Sequence, residues 1–180
     1  MEYQEVVDVV NTDPVVRALV EAPLPMQLGY VGLDGHPRTV PVSYLWNGKE
    51  FVFATAPFAY KVRAITAHPE VSFTINVASD EIRAKVSSEL GPTVASYTPL
   101  IVLVRGVASI DVQPGVPTEH VEASRRMVAD EQEFVEWERI KRQATDEMAV
   151  ISIKPTHVTV CDFITRFPPP AEHERKAHSD

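Results

Sequence analysis

The stretch that decides the fold runs from Arg38 to Asn76 and reads RTVPVSYLWNGKEFVFATAPFAYKVRAITAHPEVSFTIN. Polar and apolar residues alternate in three of its parts, which is typical of half-buried strands. Asn47-Gly48 is a strong signal for a tight turn between two of these strands. We therefore predict a strand, a turn, a second strand, a polar bend, a short helix and a third strand.

The polar bend and the short helix carry groups that bind an anion. Lys61–Ala67 is predicted to be helical and to end at His68-Pro69, because the residue before a proline avoids the helical conformation. The bend from Thr55 to Tyr60 offers a hydroxyl group, and the helix start adds an ammonium group and free amides. A lysine is mildly unfavourable at the positive end of a helix unless an anion is bound there. Arg38 on the neighbouring strand is expected to reach the same region.

Two hairpins are predicted around the start of this stretch. Met26–Leu33 alternates as a strand and is joined through a two-residue turn at Asp34-Gly35 to a second strand, Pro37–Trp46. Pro41 cannot donate a hydrogen bond, so this second strand is expected at a sheet edge or to be bulged. Glu50–Ala54 follows the Asn47-Gly48 turn, and the three strands are predicted to form an antiparallel meander.

The remaining elements are less regular. A helix over residues 12–22 is predicted to be capped by Thr12 or Asp13, with Pro14 at its first position. The other predictions are a strand at Val71–Asn76, an excursion, lid or hairpin at 77–98, a strand at Leu100–Asp111, two short helices within 118–147, a last strand or bent pair formed by Met148–Ile153 and Val158–Phe163, and a flexible tail from about 169.

Composition excludes several classes of protein. The chain has 180 residues, which fits one domain (1–180, with a helical insertion at about 118–147). Its formal net charge of -8 argues against nucleic acid as a partner. No apolar run approaches the ~18 residues of a membrane span. The acidic N-terminus does not resemble a signal peptide, so a cytoplasmic protein is expected. The only cysteine, Cys161, is predicted to be a buried small apolar residue.

Familiar catalytic and metal-binding motifs are absent from the sequence. There is no G-x-G-x-x-G sequence, no phosphate-binding P-loop and no G-x-S-x-G sequence. The six histidines are dispersed, so no metal site is expected. The acidic run Asp130–Glu133 is interpreted as a solvated helix face.

Several motifs in order resemble one known family. They are Arg38-Thr39-Val40-Pro41-Val42, the Asn47-Gly48 turn, Thr55 followed by Lys61-Val62-Arg63-Ala64-Ile65, His68-Pro69-Glu70-Val71, Val104-Arg105-Gly106-Val107-Ala108 and Asp162-Phe163-Ile164-Thr165-Arg166-Phe167-Pro168. In this order they resemble the pyridoxamine 5'-phosphate oxidase-like, flavin-binding split-barrel superfamily, over residues 13–168. The resemblance implies a six-stranded antiparallel split β-barrel with flanking helices, and a homodimer with two flavin sites in the subunit interface.

The resemblance also implies which residues bind the cofactor, FMN. The segment from Arg38 to Ser43 would line the isoalloxazine ring, and the residues expected there are Arg38, Thr39, Val40, Pro41 and Ser43. The ribityl phosphate would be held by Ala54, Thr55 and Lys61, while Tyr60 would donate a hydrogen bond to the cofactor or stack on it. No catalytic acid or base is identified.

The chain departs from the true oxidase at three of the family's positions. Tyr60 stands where the oxidase has an arginine, Ser43 where it has a lysine, and a residue near Ile101 where a glutamine is expected. These changes remove charge and hydrogen-bond donors, which weakens the case for vitamin B6 phosphate as substrate.

Three functions remain open on this basis. The first is an FMN-dependent oxidoreductase acting on a small molecule in a pocket bounded by residues 77–98 and 118–147. The second is an oxidoreductase of the same fold that uses the deazaflavin F420, whose long anionic tail requires several basic residues. The third is a non-catalytic protein that binds flavin, haem or another ligand.

Overall fold

The computed structural model describes residues 2–77 and 100–162. Its helices are α1 (Tyr3–Thr12), α2 (Pro14–Glu21), α3 (Tyr60–Ala67), α4 (Thr118–Arg125) and α5 (Glu131–Gln143). Its strands are β1 (Met26–Val31), β2 (Pro37–Val42), β3 (Leu45–Trp46), β4 (Phe51–Thr55), β5 (Glu70–Asn76), β6 (Leu100–Pro114) and β7 (Glu147–Asp162). Apart from Val77, the predicted excursion at 77–98 lies outside the described residues, as does the predicted tail from 169.

The strands form one antiparallel sheet in the order β2-β1-β5-β6-β7-β4-β3. A mainly β fold with flanking helices is thus confirmed. The predicted count of six strands is not reproduced, because the residues that the structure describes form a sheet of seven. Within the described residues the sheet is also not closed, since its edge strands β2 and β3 pair with β1 and β4 respectively and not with each other.

The predicted meander of three strands is wrong, because the strand predicted over Pro37–Trp46 is broken in two. Its first part, β2, lies at one edge of the sheet, and its second part, β3, lies at the opposite edge. Only Ser43 and Tyr44 connect them. Two consecutive segments can occupy opposite edges only if the sheet curls, which brings the edges near each other. The expected edge position of Pro41 is confirmed, since it lies in β2.

Both predicted hairpins exist, but their loops are longer than two residues. The pairing of Val31 with Pro37 leaves residues 32–36 in the first loop, and the pairing of Trp46 with Phe51 leaves residues 47–50 in the second. The glycine expected to allow a left-handed backbone does so in each, with φ of 78° at Gly35 and 91° at Gly48.

The break between β2 and β3 is held by a set of polar contacts around Tyr44. Its ring is buried in the core, and its hydroxyl donates a hydrogen bond of 3.0 Å to the carbonyl of Val20 in α2. Arg126, the C-terminal cap of α4, donates to three carbonyl groups: those of Tyr44 at 3.0 Å, Val20 at 2.6 Å and Ala22 at 2.5 Å. One guanidinium group therefore joins three separate segments of the chain.

Two helices precede the sheet, of which one was predicted. Asp13 caps α2 by accepting hydrogen bonds from the amides of Val15 and Val16 at 3.0 and 3.1 Å. Helix α1 was missed, although Glu2 and Glu5 form a capping box at its start. Its buried residues are Val6, Val7 and Val10, so α1 covers part of the core.

The two longest strands, β6 and β7, pair along almost their whole length. The predicted bent pair around Lys154-Pro155 is a single strand whose register shifts opposite Gly106. A side chain at Gly106 would approach Ile153 Cγ2 to 2.6 Å and the Lys154 carbonyl oxygen to 2.7 Å. Glycine is therefore required where the two strands adjust their register.

The helical insertion consists of two helices, α4 and α5, as predicted. Asp130 caps α5 through the amide of Glu133 at 2.8 Å, and the acidic run at its start is exposed, as expected for a solvated helix face. The His120 ring lies 5.8 Å from that of Trp137 between the two helices. No helix in the described part of the chain is long and apolar enough to cross a membrane.

The contacts of Arg126 predict its effect on stability. We expect Arg126→Ala to lower the free energy of unfolding by about 2–4 kcal/mol, because it leaves half-buried carbonyl groups without a charged donor. Urea unfolding followed by circular dichroism measures the loss. Arg17→Ala, which removes an exposed arginine paired with Glu21, is the matched control and should leave the midpoint nearly unchanged. Equal effects of the two changes would contradict the structural role of Arg126.

The environment of His120 predicts a dependence of stability on pH. Burial, with a smaller contribution from the charge of Lys141, lowers the pKa of His120 from 6.5 to about 4. The unfolded chain takes up this proton near pH 6.5 and the folded chain does not, so the folded state loses stability as the pH falls from about 6.5 to 4. In urea titrations across this range, the free energy of unfolding of His120→Phe should fall less with decreasing pH than that of the wild type. The control His36→Gln, which changes an exposed histidine, should decline as the wild type does. Parallel curves for the wild type and His120→Phe would disprove the assignment.

Candidate functional site

Tyr60 joins the start of α3 to the hairpin between β1 and β2. Its hydroxyl oxygen accepts hydrogen bonds from the amide of Leu33 at 2.9 Å and from Arg38 Nη2 at 3.4 Å. The Arg38 guanidinium carbon lies 4.9 Å from the centre of the Tyr60 ring, and its Nη2 also contacts Asp34 Oδ2 at 2.8 Å. Two of the predicted site residues, Arg38 and Tyr60, are therefore in direct contact.

Lys61 lies in the first turn of α3, which has no side-chain cap. Ala59 is at the cap position and makes no capping hydrogen bond with its side chain. Lys61 is half-buried, and this burial lowers the pKa of its ammonium group. It forms no ion pair with any residue in the ranges 2–77 and 100–162. A partly desolvated cation beside uncapped amides is a favourable place for an anion.

Ala54 and Thr55 end β4 immediately before the bend that leads into α3. Both are half-buried, and Thr55 is paired in register with Ala149 of β7. The bend is tight, since the amide of Ala59 donates to the carbonyl of Ala56 at 3.0 Å. The structure thus brings Arg38 and Tyr60 into contact, whereas Thr55 and Lys61 make no side-chain hydrogen bond to either of them within the described ranges.

The other predicted residues follow β2 to its end. Thr39 and Pro41 are exposed on the outer face of the sheet, while Val40 is half-buried and packs against the core. Ser43 is half-buried in the break between β2 and β3. The side chains of this run therefore alternate between two faces, and only part of it can line one ligand surface.

Two large cavities lie on the outer face of the sheet. The first, of about 720 Å³, includes Arg38 and Glu70 in its lining, and the second, of about 700 Å³, includes Gln27 and Cys161. They share five lining residues, which are Thr39, Gly29, Ser72, Arg105 and His157. In that order these residues are paired in register across β2, β1, β5, β6 and β7, so they form one row across five strands. We call them the outer row.

Most of the outer row was missed from the sequence. Arg105 appeared only as part of a family motif, and His157 was not singled out. Their meeting depends on the register between β6 and β7, which pairs Arg105 with His157. Cys161 is half-buried and lines the second cavity, so the prediction of a buried small apolar residue is wrong.

A third cavity, of about 580 Å³, lies where the helical insertion meets the bend before α3. It is lined by residues 56–58, by Lys141 and by residues 144–148. Phe58 at its rim is 85% exposed. No group of three or more histidine, cysteine, aspartate or glutamate residues that could hold a metal ion occurs in the described ranges.

Comparison with solved structures supports the fold. An F420 reductase has a TM-score of 0.55 at 20% identity, covering 79% of this chain and 94% of its own. HutZ, the haem storage protein from Vibrio cholerae, has a TM-score of 0.52 at 18% identity, covering 82% of this chain and 93% of its own. The general stress protein 26 from Bacillus anthracis str. Sterne has a TM-score of 0.53 at 15% identity, covering 85% of this chain and 95% of its own.

Comparison of sequences identifies the family. No curated protein matches the chain significantly in sequence. The family model described as pyridoxamine 5'-phosphate oxidase, however, matches residues 12–162. This match includes every element from α2 to β7 and every predicted site residue. The chain therefore belongs to the pyridoxamine 5'-phosphate oxidase family.

Proposed function

We propose that the protein is an FMN-dependent oxidoreductase that acts on a small molecule. The observation that carries the proposal is Lys61, a half-buried ammonium group without a counter-ion among the described residues, at the uncapped start of α3. An FMN phosphate group would meet both the charge and the free amides. The hydroxyl group of Thr55, on the segment that leads into this turn, is the further donor proposed for the phosphate.

The remaining residues of the proposed site position the ring of the cofactor. Arg38 is fixed by Asp34 and by the Tyr60 ring, so its guanidinium group is held in place to donate to the polar edge of the ring. Thr39 and Pro41 on the outer face, and Ser43 at the break, would line the ring's edge. FMN supplies hydride transfer when bound, and the protein provides binding, orientation and exclusion of water.

F420 is the second candidate cofactor. The fold of an F420 reductase is similar to that of this chain, although 20% identity supports only the fold. The two cofactors differ in their demand for positive charge, since the F420 tail is longer and more anionic. With Tyr60 and Ser43 in place of basic residues, the described site favours the single phosphate of FMN.

We propose that the protein acts as a homodimer, with the cofactor sites at the interface. Members of the family are commonly dimeric. Three apolar residues are exposed on the same outer face as the two large cavities: Val31 at 36%, Leu103 at 37% and Val107 at 42%. A second copy over this face would remove them from water and form the other wall of each cavity.

The role of Lys61 is tested by cofactor titration. Purified protein is titrated with FMN, F420 and haem, and binding is followed by absorbance and fluorescence. We expect FMN to bind, and Lys61→Gln to weaken binding about 10- to 100-fold, because a hydrogen bond to a charged group contributes about 1.5–3 kcal/mol. Lys49→Gln, which removes an exposed lysine in the β3–β4 loop, should have no effect.

Other outcomes of this titration separate the alternatives. Tight binding of F420 in place of FMN would make F420 the cofactor. Binding of haem alone, or of FMN that no electron donor reduces, would support a non-catalytic binding protein. The oxidoreductase proposal is abandoned if neither flavin binds.

The proposed interface is tested by a single charge. Val107→Asp places a carboxylate on the outer face, where a partner subunit would bury it, and should halve the mass of the particle in light scattering. Val135→Asp is the matched control, since Val135 is 57% exposed and lies on helix α5, not on a strand of the sheet. An unchanged dimer in Val107→Asp, or a wild-type monomer, would rule out this interface.

A further inference from the structure

The second cavity on the outer face has an unusual distribution of charge. Among the described residues that line it, Arg105 is the only one with a formal charge. Arg105 is exposed and forms no ion pair or side-chain hydrogen bond with any residue of the ranges 2–77 and 100–162. The cavity thus presents one free guanidinium group and, within those ranges, no carboxylate group.

Within the second cavity the neighbours of Arg105 are neutral hydrogen-bonding groups, whereas Glu70 lines the first cavity, which also includes Arg105. Within the outer row it lies between Ser72 on β5 and His157 on β7, with which it is paired in register. Thr74 and Thr159 occupy the next row on the same face, on either side of Leu103. Hydroxyl groups of this kind, grouped around a planar guanidinium, suit the oxygens of a carboxylate or a phosphate.

Gly29 accommodates the close approach of Ser72 within the outer row. It lies between Thr39 and Ser72, and a Cβ atom at this position would come within 3.2 Å of Ser72 Oγ and 3.3 Å of the Ser72 carbonyl oxygen. A glycine inside a strand marks a place where another group comes close to the backbone. That group is Ser72 itself, so glycine avoids a tight contact where β1 passes Ser72.

We propose that the second cavity binds a small organic anion through its carboxylate or phosphate group, held by Arg105 with the hydroxyl groups of Ser72, Thr74 and Thr159. The site is separate from the proposed cofactor phosphate site, because none of Ala54, Thr55 and Lys61 lines the cavity. Its identification as the substrate site of an oxidoreductase rests on the proposed function, whereas binding of the anion does not.

The test uses inorganic phosphate as the probe, at constant ionic strength maintained with sodium chloride. Two-dimensional amide NMR spectra follow the backbone amides of Ser72, Thr74 and Thr159 for the cavity, and those of Tyr60 and Lys61 for the cofactor phosphate site. We expect saturable shifts at the cavity amides of the wild-type protein. Arg105→Gln should weaken this binding about tenfold or more, and Arg105→Lys should do so less, because lysine keeps the charge but loses the planar fork.

Two controls make the two sites separable. Lys61→Gln should leave the cavity shifts intact, even if it removes those at Tyr60, so a failed cofactor proposal does not decide the cavity proposal. Arg17→Gln, which changes an exposed residue of α2, should change neither the cavity shifts nor those at Tyr60 and Lys61. The spectra also show directly whether each variant is folded.

Repeating the titration with saturating FMN or F420 distinguishes the sources of the anion. Cavity shifts that persist with both cofactors support a substrate group as the ligand, and shifts that disappear only with F420 support the anionic tail of that cofactor. The proposal is overturned if the cavity amides of the wild type show no saturable shift, or if Arg105→Gln leaves that shift unchanged.

Discussion

The contact between Arg126 and the chain around Tyr44 is the constraint on which the sheet depends. Two consecutive strands, β2 and β3, lie at opposite edges, so the backbone crosses between them within two residues. That crossing exposes carbonyl groups that no neighbouring strand can pair. Arg126 satisfies the carbonyl of Tyr44 and at the same time those at the end of α2, while the Tyr44 hydroxyl donates to Val20. Burial raises the pKa of Tyr44 to about 12, against the opposing effect of the nearby guanidinium, so the phenol stays neutral.

This crossing also determines where the candidate site lies. The chain leaves β2 at Val42, next to the crossing at Ser43 and Tyr44. The opposite end of β2 lies at the β1–β2 hairpin, where the hydroxyl group of Tyr60 in α3 accepts a hydrogen bond from the amide of Leu33. Helix α3 in turn follows β4 after a bend of four residues, and β4 pairs with β7 on the other side of the sheet. The proposed cofactor residues therefore come from both halves of the curled sheet.

Local signals in the sequence predicted the elements well and their partners poorly. The cap at Asp13, the proline at position 14 and the stop at His68-Pro69 act over a few residues, and each is visible in the chain itself. The break at Ser43 and Tyr44 has no such signal, because Val42 and Tyr44 keep the alternation of a continuous strand. The side chain that meets the chain at this break is Arg126, which lies more than eighty residues away. The outer row was missed for the same reason, since strand register joins residues from five separate segments.

The overall charge of the chain says little about its cavities. A net charge of -8 argues against a polyanionic partner, yet part of the acidic charge lies on the exposed surface of α5, in residues such as Glu131, Glu133 and Glu136. Charges farther apart than a Debye length, about 8 Å at physiological salt, are largely screened. Lys61 and Arg105 each lack a carboxylate partner among the described residues. Under these conditions their near neighbours set the local potential, so the net charge of the chain does not argue against the two proposed anion sites.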